Sequence, residues 1–167
     1  MINSFWGDIF KFKKKSNTID TLRHIPIFKG LSHFDLIKVS KLLHLRKYKK
    51  DEVIFHQNEP GESMFIIQSG KVDIQRKTDF GTTTLASLSD GSFFGEISLV
   101  DEESRTATAI SKEDSSLLGF FRADLIHLID RNPRLASFIL LHLSMVLGKR
   151  LRLLDSQLQS NHEPITQ

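Results

Sequence analysis

The chain has 167 residues, of which 40% are hydrophobic and 26% charged, with a formal net charge of +3. This composition is typical of one folded domain and excludes a disordered polypeptide. The absence of cysteine excludes disulfides, thiolate metal sites and cysteine nucleophiles. No apolar run reaches the ~20 residues of a membrane-spanning helix, and the first fifteen residues lack the uninterrupted apolar stretch of a signal peptide. We therefore expect a cytoplasmic protein.

The charge is distributed unevenly. Residues 1–50 contain twelve Lys or Arg against three Asp or Glu, residues 51–130 six against fifteen, and residues 131–167 five against two. The basic first block suits either an anionic partner, such as nucleic acid or a membrane surface, or a solvated basic face. We favour the solvated face, because no recognition helix surrounds the one tight lysine cluster.

Residues 1–18 are predicted to form an amphipathic basic arm. Its apolar residues, which share one helix face, and its basic residues are Phe5, Trp6, Ile9, Phe10, Lys13, Lys14 and Lys15. Such an arm can make a peripheral contact with an anionic membrane, or it can pack against its own domain. Both alternatives stay open.

Residues 19–50 have a helical pattern that is interrupted at Gly30. The apolar positions are Leu22, Ile25, Phe28, Phe34, Ile37, Leu42 and Leu45. Ser32 is a predicted N-cap, because Asp35 follows it in the first turn of the second run.

Between residues 51 and 121 the apolar period changes to two, which predicts short strands. The apolar segments are 53–55, 64–67, 72–74, 85–88, 106–110 and 117–121. Pro, Gly, Asp and Ser residues lie between these segments at turn-sized intervals. The pattern predicts a small antiparallel β-barrel or sandwich.

The helical period returns over residues 122–158, with a break at Asn132-Pro133. A stripe with spacings of three and four consists of Ala136, Leu140, Leu143, Leu147, Leu151, Leu154 and Leu158, and a second apolar set consists of Phe138, Leu141 and Met145. One helix with both sets can pack on its own domain and on a second copy, so we expect a homodimer through this helix, with purely intramolecular packing as the alternative. Residues 159–167 are predicted to be a flexible tail.

The segment from residue 93 to 108 has the composition of an anion site. Gly95 permits close backbone approach, and a one-turn helix beginning near Glu96 would direct free N–H groups towards one point. Arg105 follows nine residues later, at the start of a predicted strand. A phosphate suits these donors but repels Glu96, unless Glu96 accepts a hydrogen bond from a hydroxyl. The predicted ligand therefore combines one phosphate with one sugar hydroxyl.

This segment resembles the phosphate-binding cassette of the cyclic nucleotide-binding domain family. The matching residues are Phe94-Gly95-Glu96-Ile97-Ser98-Leu99 and Arg105-Thr106-Ala107, and the resemblance extends from about Leu22 to Leu158. It implies an α+β, mainly β fold: a small antiparallel β-barrel or jelly roll (double-stranded β-helix) flanked by N-terminal helices and a long C-terminal helix.

The resemblance also implies residue roles. Arg105 would pair with the cyclic phosphate, and Glu96 would accept from the ribose 2′-hydroxyl. The remaining ligand-binding residues would be Gly95, Ile97, Ser98, Thr106 and Ala107. The base would be covered by Arg150, Leu151 or Leu147 of the final helix, unless these side chains serve ordinary packing.

The ligand itself stays open. Asp101, Glu102 and Glu103 place three carboxylates near the phosphate, where they weaken binding unless they point into solvent. Thr106 is typical of cGMP-preferring members of the family, yet some cAMP-responsive members also have it. We expect cAMP ahead of cGMP, because cAMP is the commoner ligand of soluble members.

We therefore predict a stand-alone cyclic nucleotide sensor that signals through its C-terminal helices to an effector protein whose identity is open. No enzymatic activity or metal is expected, since the seven histidines are scattered and no catalytic motif occurs. Direct DNA binding is not expected, because nine residues after Leu158 are too few for a helix-turn-helix. The alternative is a scaffold protein whose empty cassette is held by an Arg105–Glu96 ion pair.

Overall fold

A computed structural model describes residues 17–160 of the chain. Residues 1–16 of the arm predicted for residues 1–18 lie outside this range, as do residues 161–167 of the tail predicted for residues 159–167. The predicted bounds are corrected at both segments, because Thr18 belongs to the first helix and residues 159–160 belong to the last one. Among the described residues, no helix combines the length and the apolar character that crossing a bilayer requires.

The domain begins with short helices. They are α1 (Thr18–His24), a 3₁₀ helix (Pro26–Phe28) and α2 (His33–Ser40). The predicted cap of α2 is confirmed: the Ser32 hydroxyl accepts from the Asp35 amide at 3.1 Å and donates to the Asp35 carboxylate at 2.8 Å. The two side chains thus fix the start of the helix.

Within residues 17–160, eight strands form two antiparallel four-stranded sheets. The strands are β1 (Leu43–Tyr48), β2 (Val53–Phe55), β3 (Ser63–Ser69), β4 (Lys71–Thr78), β5 (Gly81–Ser89), β6 (Phe93–Phe94), β7 (Thr108–Ser111) and β8 (Ser115–Phe121). The first sheet has the order β1-β8-β3-β6 and the second β2-β7-β4-β5. The mainly β fold predicted from the sequence is confirmed.

The helical prediction for residues 19–50 is wrong over its last part. Leu43–Tyr48 form β1, which pairs antiparallel with β8 along its whole length. Leu42 and Leu45 have a helical spacing, but Leu43 and Leu45 also fit the strand period, and the hydrogen-bond partner offered by β8 decides between the two.

Two apolar clusters hold the elements together. The larger joins the helices to the first sheet and includes Leu22, Phe28 and Phe120, all fully buried. The smaller lies between the sheets and includes Phe65 and Phe94. Because the two clusters pack on opposite faces of the first sheet's strands, alternate residues of β3 belong to alternate clusters.

The described part of the chain closes with two helices, α3 (Arg122–Arg131) and α4 (Pro133–Ser160), which are separated at Asn132 as predicted. The first half of the leucine stripe packs in the larger cluster, with Ala136 and Leu143 buried and Leu140 and Leu147 partly buried. Leu151 is exposed, and so are Leu141 and Met145 of the second apolar set. Intramolecular packing therefore accounts for the first half of the stripe, and the homodimer stays a prediction.

Candidate functional site

A cavity of about 450 Å³ is lined by the second sheet, by residues 92–107 and by the C-terminal half of α4. This volume is typical of sites for small molecules. The cavity brings the predicted residues Gly95, Glu96 and Arg105 together with Arg150, which lies about 50 positions further along the chain.

The backbone turns sharply at Gly95, whose φ of +73° is left-handed. A 3₁₀ helix, Glu96–Leu99, follows directly, so the predicted one-turn helix is confirmed. A Cβ atom at Gly95 would lie 2.7 Å from Nη1 of Arg105. Glycine is therefore required here both for the backbone angle and for the approach of the guanidinium.

Arg105 is only 6% exposed. Its Nη1 donates to Ser98 Oγ at 3.0 Å and to the Gly95 carbonyl at 3.4 Å, and its Nη2 donates to Ser63 Oγ at 3.2 Å. Within residues 17–160 the buried Nε–H finds no acceptor. Burial lowers the pKa of Arg105, against the opposing effect of nearby carboxylates, but an arginine side chain stays charged. The site thus holds a buried cation.

The aromatic ring of Phe55 lies under this cation, with the guanidinium carbon of Arg105 4.0 Å from the ring centroid. Sequence reasoning missed both Phe55 and Ser63. They precede Arg105 by fifty and forty-two positions, and an apolar or a small residue in a strand gives no local signal that it faces an arginine.

Glu96 is 1% exposed and forms an ion pair with Arg150 of α4. The Arg105–Glu96 ion pair considered from the sequence is therefore wrong: among the described residues, the ion pair of Glu96 is with Arg150 and Arg105 has neutral partners. The carboxylate instead ties α4 directly to the 93–108 segment. Arg150 also lies 5.4 Å from the ring centroid of Phe93.

Of the three side chains predicted to cover a base, the structure brings only Arg150 to the cavity. Leu147 packs against the larger apolar cluster, and Leu151 is 60% exposed. Leu153 and Leu154 line the cavity instead. Positions three and four residues after Arg150 share its face of the helix, which is the signal that the sequence reasoning overlooked.

The three acidic residues at positions 101–103 differ in their position relative to the cavity. Asp101 and Glu103 line it, whereas Glu102 is exposed to solvent. Thr106 and Ala107 also line it. Within residues 17–160, no cluster of three His, Cys, Asp or Glu side chains has the arrangement of a metal site.

A turn preceding β3 fixes the position of Arg105. The Arg105 amide donates to the Glu59 carbonyl at 2.7 Å, and the Asn58 amide donates to the Arg105 carbonyl at 2.8 Å. A Cβ atom at Gly61 would lie 2.2 Å from Ser98 Oγ. The turn and the 3₁₀ helix therefore touch at a position where only hydrogen fits.

Comparisons with known proteins relate the chain to one family. Residues 45–132 match the family model described as cyclic nucleotide-binding domain. The chain is 38% identical over 135 residues to the cyclic AMP receptor protein of Thermus thermophilus, and the matched region covers 80% of this chain and 60% of that protein. It is 34% identical over 87 residues to the cAMP-dependent protein kinase regulatory subunit of Mycosarcoma maydis, and this match covers 52% of this chain and 17% of that protein.

Similarity extends to three-dimensional structure. The crystal structure of the Thermus thermophilus catabolite activator protein matches this fold with a TM-score of 0.74 at 36% sequence identity, covering 80% of this chain and 62% of that one. The chain thus spans less than two thirds of the length of each of these relatives.

Proposed function

The chain belongs to the cyclic nucleotide-binding domain family, and we propose that it is a regulatory module that binds a cyclic nucleotide in the cavity. We propose cAMP ahead of cGMP as the ligand, without a metal ion and without enzymatic activity. The names of the cyclic AMP receptor protein and of the cAMP-dependent kinase subunit support this choice. We further propose a cytoplasmic location and an effector protein as the partner.

Arg105 carries this proposal. It is buried, and in the described part of the chain its contacts are with neutral groups, namely two hydroxyls, a carbonyl and an aromatic ring. The carboxylates of Glu59, Glu62 and Glu96 act on this charge through space, but a buried charge without a directly contacting counterion is costly. A cyclic phosphate supplies one negative charge and oxygen acceptors for the guanidinium, including an acceptor for the unsatisfied Nε–H.

The other proposed contacts follow from the same cavity. The amides of Gly95 and Ile97 lie at the start of a 3₁₀ helix, where N–H groups lack partners within the helix. The Ser98 amide follows them and already donates to the Gly95 carbonyl at 3.3 Å, so a phosphate would have to share or replace that bond. We propose that they bind the phosphate, with Thr106 and Ala107 beside them. Buried Glu96 would accept from the ribose 2′-hydroxyl.

Glu96 also supports a signalling role for α4. Arg150 already binds this carboxylate, so the ribose hydroxyl and Arg150 would share one acceptor. A ligand that strengthens or weakens the contact changes the equilibrium between docked and displaced α4. We propose that this movement reports nucleotide binding to the effector protein.

The test is thermal unfolding of the full chain with cAMP, cGMP or 5′-AMP. Ligand at a hundred times its dissociation constant adds about 2.7 kcal/mol, which raises the midpoint of a chain of this size by about 5 to 11 °C. In Arg105→Ala the same ligand concentration should give about a tenth to a half of this increase, because a charge-assisted contact worth about 1.5–3 kcal/mol is lost. Arg46→Ala, which removes an exposed arginine on β1, should keep it.

Failure of this proposal is easily recognised. If folded wild-type protein shows no shift with millimolar cAMP or cGMP, the sensor function is wrong and the scaffold function takes its place. A shift of equal size in Arg105→Ala would overturn the role of the arginine.

A further inference from the structure

We infer that Phe55 is a positioning residue for Arg105: its ring holds the guanidinium where a phosphate meets it. This inference rests on the proposed function and adds to it a residue outside the 93–108 segment. Arg105 and Phe55 come from separate parts of the chain and meet because β2 pairs with β7, the strand that begins three residues after Arg105.

The guanidinium is held on three sides. The Phe55 ring covers one face at 4.0 Å, Ser63 on β3 binds Nη2, and Ser98 on the 3₁₀ helix binds Nη1. A cation over an aromatic ring is attracted by the electron density of the ring face. The face contact and the two edge contacts together define the plane of the guanidinium.

The ring of Phe55 is itself fixed. Its centroid lies 6.1 Å from that of Phe65 and 5.9 Å from that of Phe94. These two rings are 6% and 4% exposed, and they stack on each other at 5.7 Å. Arg105 therefore packs against the end of a three-ring cluster that cannot easily move aside.

An aromatic surface suits an anion-binding arginine better than a carboxylate does. A carboxylate would neutralise the guanidinium and compete with the phosphate for its N–H groups. A ring attracts the charge but accepts no hydrogen bond in the guanidinium plane, so the charge stays available. A long side chain that is already ordered also loses less entropy when the ligand binds.

The experiment measures cAMP and cGMP affinity of full-length variants by titration. Phe55→Leu keeps apolar volume but removes the ring face, and it should weaken binding by about three- to tenfold. Phe55→Tyr keeps the ring and should bind the nucleotide with wild-type affinity. Phe121→Leu is the matched control, because Phe121 is a partly buried phenylalanine on β8 whose ring contacts His44 and does not line the cavity.

A double-mutant cycle then separates positioning from direct ligand contact, since Phe55 also lines the cavity. If Phe55 acts through Arg105, Phe55→Leu should cause no further loss in an Arg105→Ala background. An undiminished loss there, or an equal loss in Phe121→Leu, would overturn the inference while leaving the sensor function intact. Wild-type protein that binds neither nucleotide would overturn both.

Discussion

At the residue scale, the contact between Gly61 and Ser98 gives a direct test of the site's packing. We predict that Gly61→Ala lowers the free energy of unfolding by about 1–3 kcal/mol, because its Cβ would lie 2.2 Å from Ser98 Oγ and 3.1 Å from the Glu103 carbonyl. Nucleotide affinity should fall as well, since the 3₁₀ helix must shift. Urea unfolding and titration measure the two effects.

Gly148→Ala is the control, with the opposite sign. Gly148 lies within α4, and the nearest atoms to an added Cβ are 3.7 Å away on flexible Arg152. Alanine should therefore raise the free energy of unfolding by up to about 1 kcal/mol. Equal effects of the two substitutions would contradict the steric account of Gly61.

Whether a site residue could be predicted depended on how far it lies in the sequence from the other residues of the site. Gly95, Glu96 and Arg105 could be proposed from the sequence because their chemistry is concentrated in eleven consecutive positions. Phe55 and Ser63 could not, because their contacts with Arg105 exist only after the strands have paired.

At the scale of elements, the cap of α2 predicts a pH dependence. Hydrogen bonds from Ser32 and then Lys38 lower the pKa of Asp35 below its ordinary 3.8. The ionised carboxylate therefore stabilises the fold above pH 3.8, and this contribution is lost as the pH falls through the lowered pKa. We predict that Ser32→Ala costs about 1 kcal/mol at pH 7 and reduces the loss of stability at acid pH.

Urea unfolding from pH 7 down to pH 2 measures this difference. Ser40→Ala serves as the control, because its hydroxyl donates to the Ile37 carbonyl in the same helix without touching Asp35. A wild-type pH dependence in Ser32→Ala would refute the assignment to the cap.

The elements themselves were predictable where one period dominated the sequence. Strands β2 to β5 were predictable because each contains a short apolar segment between turn residues, which in β3 is continuous since both faces of that strand are buried. Both C-terminal helices were predictable because each buries one stripe. β1 was not, because most of its residues are exposed and Leu45 fits both a helical spacing from Leu42 and a strand spacing from Leu43. Only its pairing with β8 shows that it is a strand.

Movement of α4 can be measured with two spin labels. The chain has no cysteine, so Thr83→Cys on β5 and Asp155→Cys on α4 provide two unique sites, both exposed. We predict that cyclic nucleotide changes the distance between the two labels by more than about 2 Å, as measured by double electron–electron resonance. The distance between labels at Thr83→Cys and Lys47→Cys, both on strands, should not change and serves as the control. An unchanged distance between the Thr83→Cys and Asp155→Cys labels would contradict the proposed signalling route.

At the scale of the whole molecule, two exposed apolar residues on α4 bear on the predicted homodimer. Leu141 and Met145 are each 61% exposed, on a face that turns away from the buried Leu143. We predict a light-scattering mass of twice 19.1 kDa, and a single chain mass when both residues are changed to Glu, because burying two charges opposes association. Ile126→Glu on α3 should leave the dimer intact, and a monomeric wild type would contradict the prediction.

Alternation, turns and the family resemblance together were enough to predict the two-sheet architecture. The position of α4 was not predictable in the same way. In the sequence, the leucines of α4 form one nearly continuous stripe. In the structure, Leu143 is buried, Leu151 is exposed, and Leu153 and Leu154 line the cavity. A repeat specifies that a helix has a contact face, but not which surface that face meets.

Arg150, Leu153 and Leu154 belong to one helix, so the cavity keeps or loses this wall as a unit. If a cyclic nucleotide binds beneath α4 as we propose, movement of the helix would open a route for its departure, and collective motions of this kind take microseconds to milliseconds. The residence time would then depend on how firmly α4 is docked. A substitution under the first half of α4, remote from every ligand atom, can thus lengthen or shorten the lifetime of the complex without altering a single ligand contact.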